Sequence, residues 1–315
     1  MIRSLTALLA LDKAMHIGIV AGERGWHVRD LERAASLLGQ DGGRAGLLPS
    51  HTPRDDFAHL QTTFLDISKL ASTDDLLHYD ALLMRTIPSG SLEQTIFRLA
   101  LLYRAERAGL RIINTPACFE ACVDKFTTTA RLVAAGLPSP RTICCQTIDA
   151  AMAAFKTLGR DVVIKPIFGS EGKGLARVSD TDTAWRAVSM LVQLRAVVYL
   201  QEFVPHHGYD LRVFVLGGRV LAAMKRSHSS DWRTNLACGA TAEAFRLTSQ
   251  QEQLAIQAAA SVQAEIAGVD LLPTQDGRLL VLEVNGVPGW QGLAKATGVD
   301  VAAKVLEYCS KRVSP

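Results

Sequence analysis

Aromatic residues and runs of like charge are scarce in this sequence. Phe, Trp and Tyr make up 6% of its 315 residues, too few for the repeated stacking platform of a single-stranded nucleic-acid binder. The 34 Lys and Arg nearly balance the 31 Asp and Glu, for a formal charge of +3, and they form no basic stripe. No stretch approaches the roughly 18 uncharged apolar residues of a membrane span. We therefore expect neither a nucleic-acid partner nor a membrane partner.

The usual cysteine patterns of metal sites are also missing. None of the six cysteines lies in a CxxC pair, and no histidine cluster accompanies them. Cys118 and Cys122 are one helical turn apart, the spacing of a ligand pair, but we interpret all six as reduced thiols of a cytoplasmic protein. Hydrophobic residues at 48% and charged residues at 21% are typical of globular chains and exclude disorder as the main state.

The first third of the chain alternates short apolar runs with helical patterns. We predict strands and helices by this periodicity: strands at residues 17–20, 64–67, 81–84 and 111–113, and helices at 28–38 and 91–107. Such alternation indicates parallel βαβ units in an open sheet. Residues 1–14 contain a short apolar run without a clear cleavage site. We interpret them as a ragged extension, with Met15 as an alternative start.

After residues 114–116, where we place a boundary, the pattern becomes mixed. The predicted elements are a helix at 124–135, strands at 161–165 and 197–203, and a hairpin of residues 211–216 and 219–224. Thr248 and Gln251 form a capping box for a helix that would run to about Ala267. A second hairpin, with strands at 269–272 and 279–285, would turn at Asp276 and Gly277. The expected class is therefore α/β followed by α+β.

The second hairpin carries the most informative side chains. Counting outward from the turn pairs Leu272 with Val281 and Asp270 with Glu283, whose Cβ atoms would be about 5 Å apart. Asn285 shares the face of Glu283. Two opposed carboxylates repel unless a positive charge lies between them, and three oxygen donors suit Mg²⁺ or Mn²⁺ rather than Zn²⁺. A solvated strand face is the alternative, although this strand is otherwise apolar.

A lysine ends the predicted strand at 161–165, and a glycine-rich loop follows it. Lys165 is costly at the end of a buried strand unless it meets an anion. Residues 169–174 (GSEGKG) leave backbone N–H groups free to approach phosphates, although a flexible turn explains the glycines equally well. The loop is neither a Walker A sequence nor a Rossmann fingerprint.

Two further groups carry little information alone. Gln201 and Glu202 end a predicted strand, which suits a hinge that presents backbone groups to adenine, but any exposed strand end has such residues. Arg212 and Arg233 have the geometry to grip a phosphate or a carboxylate by two bonds. Surface ion pairs explain isolated arginines better.

Together and in this order, the motifs resemble the ATP-grasp superfamily. The residues that carry the resemblance are 124–125 (DK), 163–166 (VIKP), 169–174 (GSEGKG), 201–203 (QEF), 210–212 (DLR), 233–236 (RTNL), 268–270 (GVD) and 283–289 (EVNGVPG). More narrowly, the chain is similar to RimK-type alpha-L-glutamate ligases and to the related tetrahydromethanopterin and coenzyme glutamate ligases. The similarity spans about residues 80–308.

The resemblance implies an ATP-grasp fold. A Rossmann-like parallel-sheet domain would occupy residues 15–113, and two α+β lobes would clasp ATP: a lid subdomain at 114–198 and a subdomain with the metal site at 199–315. It also implies a cytoplasmic location and leaves a homo-oligomer open.

The resemblance also implies roles for single residues. ATP would contact Lys125, Lys165, Gly169, Ser170, Gly172, Gly174, Gln201, Glu202, Phe203, Asp210, Arg233 and Asn235. The lysines would bind phosphates under the lid formed by the glycines, Glu202 and Phe203 would hold adenine, and Asp210 would contact the ribose region. Lys165 and Arg233 would be catalytic. The metal ligands would be Asp270, Glu283 and Asn285, and Arg85 and Arg212 would contact the substrate.

The expected activity is ATP-dependent ligation of an amino acid, L-glutamate above all, to a carboxylate acceptor. The acceptor would be a cofactor tail or a protein C-terminus, which the sequence does not distinguish. The alternatives are an ATP-grasp ligase with another amino acid or a small-molecule acceptor, and a nucleotide-binding scaffold without activity. A Rossmann dehydrogenase is disfavoured, because residues 18–23 lack the full dinucleotide fingerprint.

Overall fold

The structure, a computed structural model, describes residues 15–40, 60–169 and 172–311. The strands are β1 (His16–Val20), β2 (Gln61–Leu65), β3 (Ala81–Met84), β4 (Arg111–Ile113), β5 (Thr142–Cys145), β6 (Val162–Lys165), β7 (Ala176–Val178), β8 (Val198–Glu202), β9 (Tyr209–Leu216), β10 (Arg219–Ser227), β11 (Thr241–Ala244), β12 (Ile266–Pro273) and β13 (Leu279–Asn285). The helices are α1 (Trp26–Gln40), α2 (Leu92–Arg107), α3 (Pro116–Val123), α4 (Lys125–Ala134), α5 (Ile148–Thr157), α6 (Thr181–Gln193), α7 (Ser249–Ser261), α8 (Gln291–Thr297) and α9 (Val301–Lys311). The predicted extension at residues 1–14, like Ser170, lies outside the described residues.

The chain forms two compact units. Unit 1 contains the described residues up to Pro116, together with Gly289–Gln291 and the residues from Asp300 onward. Unit 2 contains Ala117–Pro288 and Gly292–Val299. Among the described residues, no helix combines the length and the apolarity that crossing a membrane requires.

Unit 1 is built on a parallel sheet with the strand order β2-β1-β3-β4. The predicted parallel arrangement is confirmed. Ile17, Ile19 and Val20 of the central strand β1 are fully buried, and helix α1 packs against α9. The strand predicted at residues 64–67 is wrong at its end, because the Asp66 carboxylate accepts a hydrogen bond from the Ser68 amide and starts a short 3₁₀ turn.

Side-chain caps begin several helices. Ser91 forms a capping box at the start of α2, and the Asp124 carboxylate accepts hydrogen bonds from two amides at the start of α4. Helix α3 was not predicted, because residues 114–116 look like a pure boundary. Pro116 is nevertheless the first residue of this helix. Proline suits this position because the backbone N–H of the first helical residue has no acceptor within the helix.

The larger sheet of unit 2 is antiparallel and has the strand order β11-β10-β9-β12-β13. Helix α7 covers one face, where Ala255, Ala258 and Ala259 pack on the buried strands β9 and β12. The predicted hairpin turn at Gly217 and Gly218 is confirmed, because Arg219 pairs with Leu216.

The helix predicted to reach Ala267 is wrong at its end. Helix α7 ends at Ser261, and Gln263 has a φ of 60°, which turns the chain away from the helix. Ile266 and Ala267 instead begin β12, where they pair with β9 and are buried. A helical pattern and a strand buried on both faces are both continuously apolar here, so periodicity does not separate them.

The hairpin of β12 and β13 has two departures from the counted register. The loop has three residues rather than two, because the Thr274 amide donates to the Arg278 backbone oxygen. The Thr274 backbone oxygen accepts from the amide of Gly277, whose φ is 83°. This shifts the pairing, so Leu271 rather than Leu272 faces Val281. A bulge after Asp270 then restores the count, and Asp270 does face Glu283 as predicted.

A smaller sheet in unit 2 has the strand order β5-β8-β6-β7. Helices α5 and α6 cover one face with a core that includes Phe155, Ala184 and Val188. Neither helix was predicted from the sequence. Strand β8 spans the predicted subdomain limit at residue 198, so that limit falls within this sheet. The opposite face of the sheet carries Lys165 and Gln201.

Candidate active site

A cavity within unit 2 collects most of the predicted site residues. The cavity and the open solvent at its mouth together occupy about 870 Å³. The predicted residues that line it are Lys125, Lys165, Gly169, Gly172, Gln201, Glu202, Phe203, Asp210, Arg233, Asn235, Asp270 and Glu283. Of the other predicted residues that the structure describes, Gly174, Arg212, Asn285 and Arg85 are not in its lining.

Two lysines give one side of the cavity its positive charge. Lys165, the last residue of β6, donates from Nζ to the Oε1 atom of Gln201 over 2.6 Å. Lys125, the first residue of α4, donates from Nζ to the backbone oxygen of Gly169 over 2.6 Å. Burial lowers the pKa of both lysines, that of Lys165 to about 8, and nearby Glu283 opposes the change. Ammonium groups that have lost their water are prepared for an anionic ligand.

The carboxylates face these lysines from β12 and β13. Asp270 is buried and directly opposite Glu283. Within the described residues, the Glu283 carboxylate makes no hydrogen bond or ion pair, although it raises the pKa of both lysines. A carboxylate in that position has its oxygens available to a cation or to a ligand.

The residues present fit a hard divalent cation. Asp270, Glu283 and Asn285 offer oxygen donors, which Mg²⁺ and Mn²⁺ prefer, and the Oδ1 atom of Asp270 accepts no well-aligned hydrogen bond. The Asn285 Oδ1 atom accepts from the Val287 amide over 2.8 Å, which orients the side chain. The described residues hold no cluster of three or more His, Cys, Asp and Glu side chains suited to a metal. Asp270, Glu283 and Asn285 do not form such a cluster, because only two of the three are among these residue types.

Arginine side chains form ion pairs with the buried Asp270 carboxylate. Arg212 approaches its Oδ1 atom to 2.5 Å and Arg226 its Oδ2 atom to 2.9 Å. Arg226 also binds Asp210 through two parallel hydrogen bonds of 2.8 and 2.5 Å. Asp210 and Arg226 are both nearly inaccessible to solvent. The structure therefore places the Asp210 carboxylate on Arg226, although the residue also lines the cavity.

Arg233 and Asn235 lie on the loop that joins β10 to β11. Arg233 is held by Asp231 through bonds of 3.0 and 2.6 Å. His228 ties the loop together: its Nδ1 atom accepts from the amides of Ser230 and Asp231, and its Nε2 atom lies 3.2 Å from the backbone oxygen of Cys238. Because Nδ1 is an acceptor, Nε2 is the donor in this contact.

The glycine-rich loop lies directly against the Arg233 loop. A Cβ atom on Gly172 would be 2.6 Å from the Asn235 Oδ1 atom, and the φ of Gly172 is 73°. Both observations require glycine at this position. The two loops therefore share one wall of the cavity.

The other end of the cavity is aromatic. The Arg177 guanidinium lies 3.4 Å from the ring centre of Phe203, and Trp232 meets the same ring edge to face. The Glu202 carboxylate accepts from Arg141, at 2.6 Å from Nε. The amides of Glu202 and Phe203 donate to the backbone oxygens of Arg141 and Asp161, so these two donors are already engaged.

Arg85, predicted to contact the substrate, belongs to unit 1. It is buried, and its guanidinium lies 4.4 Å from the ring centre of Trp290. Burial lowers its pKa to about 9. Trp290 in turn donates from Nε1 to Asp30 over 2.9 Å and from its amide to His27 over 3.1 Å. Arg85 thus belongs to a cluster of side chains that contact one another at the end of β3.

Several site residues were not found from the sequence. They are Thr142, Arg226, Trp232 and Thr234. Trp232 and Thr234 flank Arg233, so their place next to a predicted residue was the available signal. Thr142 and Arg226 reach the site only through strand pairing, for which the sequence has no local signal.

Comparisons with known proteins agree with this arrangement. A family model, the RimK-like ATP-grasp domain, matches residues 122–309. The tetrahydromethanopterin:alpha-L-glutamate ligase of Methanosarcina acetivorans is 32% identical over 257 residues, which cover 73% of this chain and 79% of that protein. A probable alpha-L-glutamate ligase of Legionella pneumophila is 32% identical over 243 residues, covering 76% of this chain and 79% of the relative.

Solved structures show the same fold. The ATP-grasp ligase PsnB, in complex with a minimal precursor, Mg and ADP, superposes with a TM-score of 0.70 at 19% identity, covering 95% of this chain and 97% of that one. The D-alanine–D-alanine ligase of Bacillus anthracis with ATP has a TM-score of 0.64 at 18% identity, covering 95% and 98%. The predicted resemblance is confirmed: the chain has the ATP-grasp fold, belongs to the RimK-like ATP-grasp family and is a ligase.

Proposed function

We propose that the protein is an ATP- and Mg²⁺-dependent ligase that attaches an amino acid, L-glutamate, to a carboxylate acceptor. The observation that carries the proposal is the division of charge in one cavity. Two desolvated lysines lie on one side, and the carboxylates of Glu283 and Asp270 lie on the other. An anionic polyphosphate with its cation complements both sides at once.

The reaction follows from the chemistry of carboxylates. A carboxylate does not react with an amine near neutral pH, because its leaving group is poor. Transfer of the γ-phosphoryl group of ATP to a carboxylate oxygen releases ADP and forms an acyl phosphate. The amine then attacks the acyl carbon, phosphate leaves, and the nitrogen loses a proton to give the amide. No nucleophile of the protein takes part, so catalysis rests on positioning and on charge stabilisation.

Individual residues have proposed roles in these steps. Lys125 and Lys165 bind the phosphates, and Arg233, presented by its loop, stabilises the charge on the transferred phosphoryl group. A cation held by Asp270, Glu283 and Asn285 would neutralise phosphate charge. The loop that contains Gly169 and Gly172 covers the phosphates and excludes water, which would hydrolyse the acyl phosphate.

The remaining predicted residues complete the site. We propose that Glu202 and Phe203 bound the adenine pocket and that Asp210 acts from its place beside Arg226 near the ribose. Gly174, Ser170 and Asn235 would complete the wall around the phosphates. Arg212 would steady Asp270, and Arg85, in unit 1, would bind a carboxylate of the substrate.

The substrates are proposed from the relatives. Their names contain glutamate and, in one case, tetrahydromethanopterin, so we propose glutamate as the amine and a cofactor tail or a protein C-terminus as the acceptor. The complexes of PsnB with a precursor favour a peptide carboxylate as the second candidate. Because ATP and glutamate are abundant in the cytoplasm, we also propose that the protein acts there.

The test is ADP release by the wild-type protein and by E283Q. We expect glutamate with an acceptor to stimulate ADP formation, and E283Q to reduce turnover by roughly a hundredfold or more, as expected for lost transition-state charge stabilisation. E252Q, on the exposed surface of α7, is the matched control. Equal turnover in E283Q and E252Q would remove the metal assignment. Nucleotide binding without ADP release under any substrate set would indicate a scaffold.

A further inference from the structure

Gln201 is one of the most buried polar residues beside the cavity, at 3% exposure. It lies on β8, next to β6, which ends at Lys165. Its Oε1 atom accepts the 2.6 Å hydrogen bond from the Lys165 ammonium. Within the described residues, the Lys165 ammonium makes this one hydrogen bond. The direction of the Lys165 side chain therefore depends on which end of the Gln201 amide faces it.

A second contact fixes that direction. The Gln201 Nε2 atom donates to the Thr142 Oγ1 atom over 3.0 Å. The Thr142 hydroxyl proton is used in a 3.0 Å bond to the Pro140 backbone oxygen. The Thr142 hydroxyl oxygen can therefore only accept a hydrogen bond from Gln201, and only the NH₂ group of the Gln201 amide can donate one. The oxygen end must then point to Lys165.

We propose that Gln201 is a positioning residue that holds the Lys165 ammonium at the phosphate side of the cavity, and that Thr142 sets the orientation of its amide. Direct contact between Gln201 and the nucleotide is not required. The inference rests on the proposed function only through the role of Lys165 in binding phosphates. Other charged groups around Lys165 are Lys125, Glu283 and Asp270, none of which hydrogen bonds to it within the described residues.

The test is calorimetric binding of a non-hydrolysable ATP analogue with Mg²⁺. Gln201→Met keeps the length and removes the acceptor, and it should weaken binding about tenfold or more, as expected for a lost hydrogen bond to a charged group. Thr142→Val should weaken binding in the same direction, and Thr142→Ser should restore it. In the double variant, Thr142→Val should add nothing to Gln201→Met.

A purely structural role predicts that each variant loses affinity only to the extent that it loses thermal stability. That pattern, or wild-type affinity in Gln201→Met, would overturn the proposal. Gln257→Met, at an exposed position of α7, is the matched control, and thermal unfolding of each variant accompanies the titrations.

A nucleotide-free measurement separates this proposal from the proposed function. Acetylation of Lys165 by acetic anhydride, followed by mass spectrometry, should be faster in Gln201→Met than in the wild type, because the amine loses the acceptor that favours its protonated form. Equal rates would contradict the positioning role. Absence of analogue binding by the wild type, with the expected difference in acetylation rate, would refute the proposed function alone.

Discussion

The stability of the folded protein should carry a pH dependence that belongs to Lys165. The pKa of this lysine is lowered from 10.5 to about 8; burial is the largest cause, Lys125 acts in the same direction, and Glu283 and Asp270 act in the opposite direction. Between these two pKa values the unfolded chain holds a proton that the folded chain has released. The stability therefore rises with pH across this window.

The magnitude follows from the two pKa values. Each pKa unit corresponds to about 1.4 kcal/mol, so the buried ammonium costs the folded state about 3 kcal/mol at pH 7. The cost disappears as pH rises from about 8 to above 10.5, because the lysine is then neutral in both states. The K165M variant lacks this cost, because methionine has no ammonium group to bury. The difference in unfolding free energy between the wild type and K165M should therefore change by about 3 kcal/mol, in favour of the wild type, from pH 7 to pH 10.5.

The assay is urea denaturation of both proteins without nucleotide at intervals across this range. Lost packing and the unpaired Gln201 amide add an offset to K165M, but that offset does not vary with pH, so the slope isolates the ionisation. K156M, on the exposed face of α5, is the control and should run parallel to the wild type. Parallel curves for K165M and the wild type would refute the reasoning, because the ammonium would then not be desolvated.

Substitutions at two further positions test the loop and the larger sheet of unit 2. His228→Ala should speed amide hydrogen exchange at Ser230 and Asp231 about five- to tenfold, since each lost hydrogen bond is worth about 1 kcal/mol. H228N keeps an acceptor and should exchange more slowly. Equal exchange in both variants would argue against the hydrogen bonds from these amides to His228. Gly268→Ala would place a Cβ atom 2.7 Å from Arg212 Nη1 and should lower the unfolding free energy by about 1–3 kcal/mol through overpacking, and an unchanged urea midpoint would contradict the close approach.

Much of unit 1 was predictable because its signals are local. A strand such as β3 is a short apolar run between polar segments, and Ser91 with Gln94 announces the start of α2. The predictions failed where tertiary contacts determine which secondary structure a segment adopts. Ile266 and Ala267 suit a helix as well as a strand, and pairing with the neighbouring strand β9 makes them part of β12.

The predicted opposition of Asp270 and Glu283 holds for a reason that the sequence does not display. The three-residue loop moves the register by one position, and the bulge after Asp270 moves it back. Either feature alone would have turned one carboxylate to the opposite face, since side chains alternate along a strand. The correct pairing thus depended on two local irregularities that cancel.

The first hairpin has one irregularity and nothing that cancels it. Counting outward from Gly217 and Gly218 would pair Arg226 with Tyr209, but a bulge after Val220 shifts the register and pairs Arg226 with Asp210. The bulge thereby aligns Asp210, Arg226 and Asp270 on one face of three adjacent strands, where Arg226 bridges both carboxylates. Without this bridge Asp270 would still pair with Arg212, but the buried Asp210 would lose its cation, which is strongly destabilising. The bulge after Val220, which is not in the cavity lining, is therefore part of what holds the Asp270 carboxylate in place.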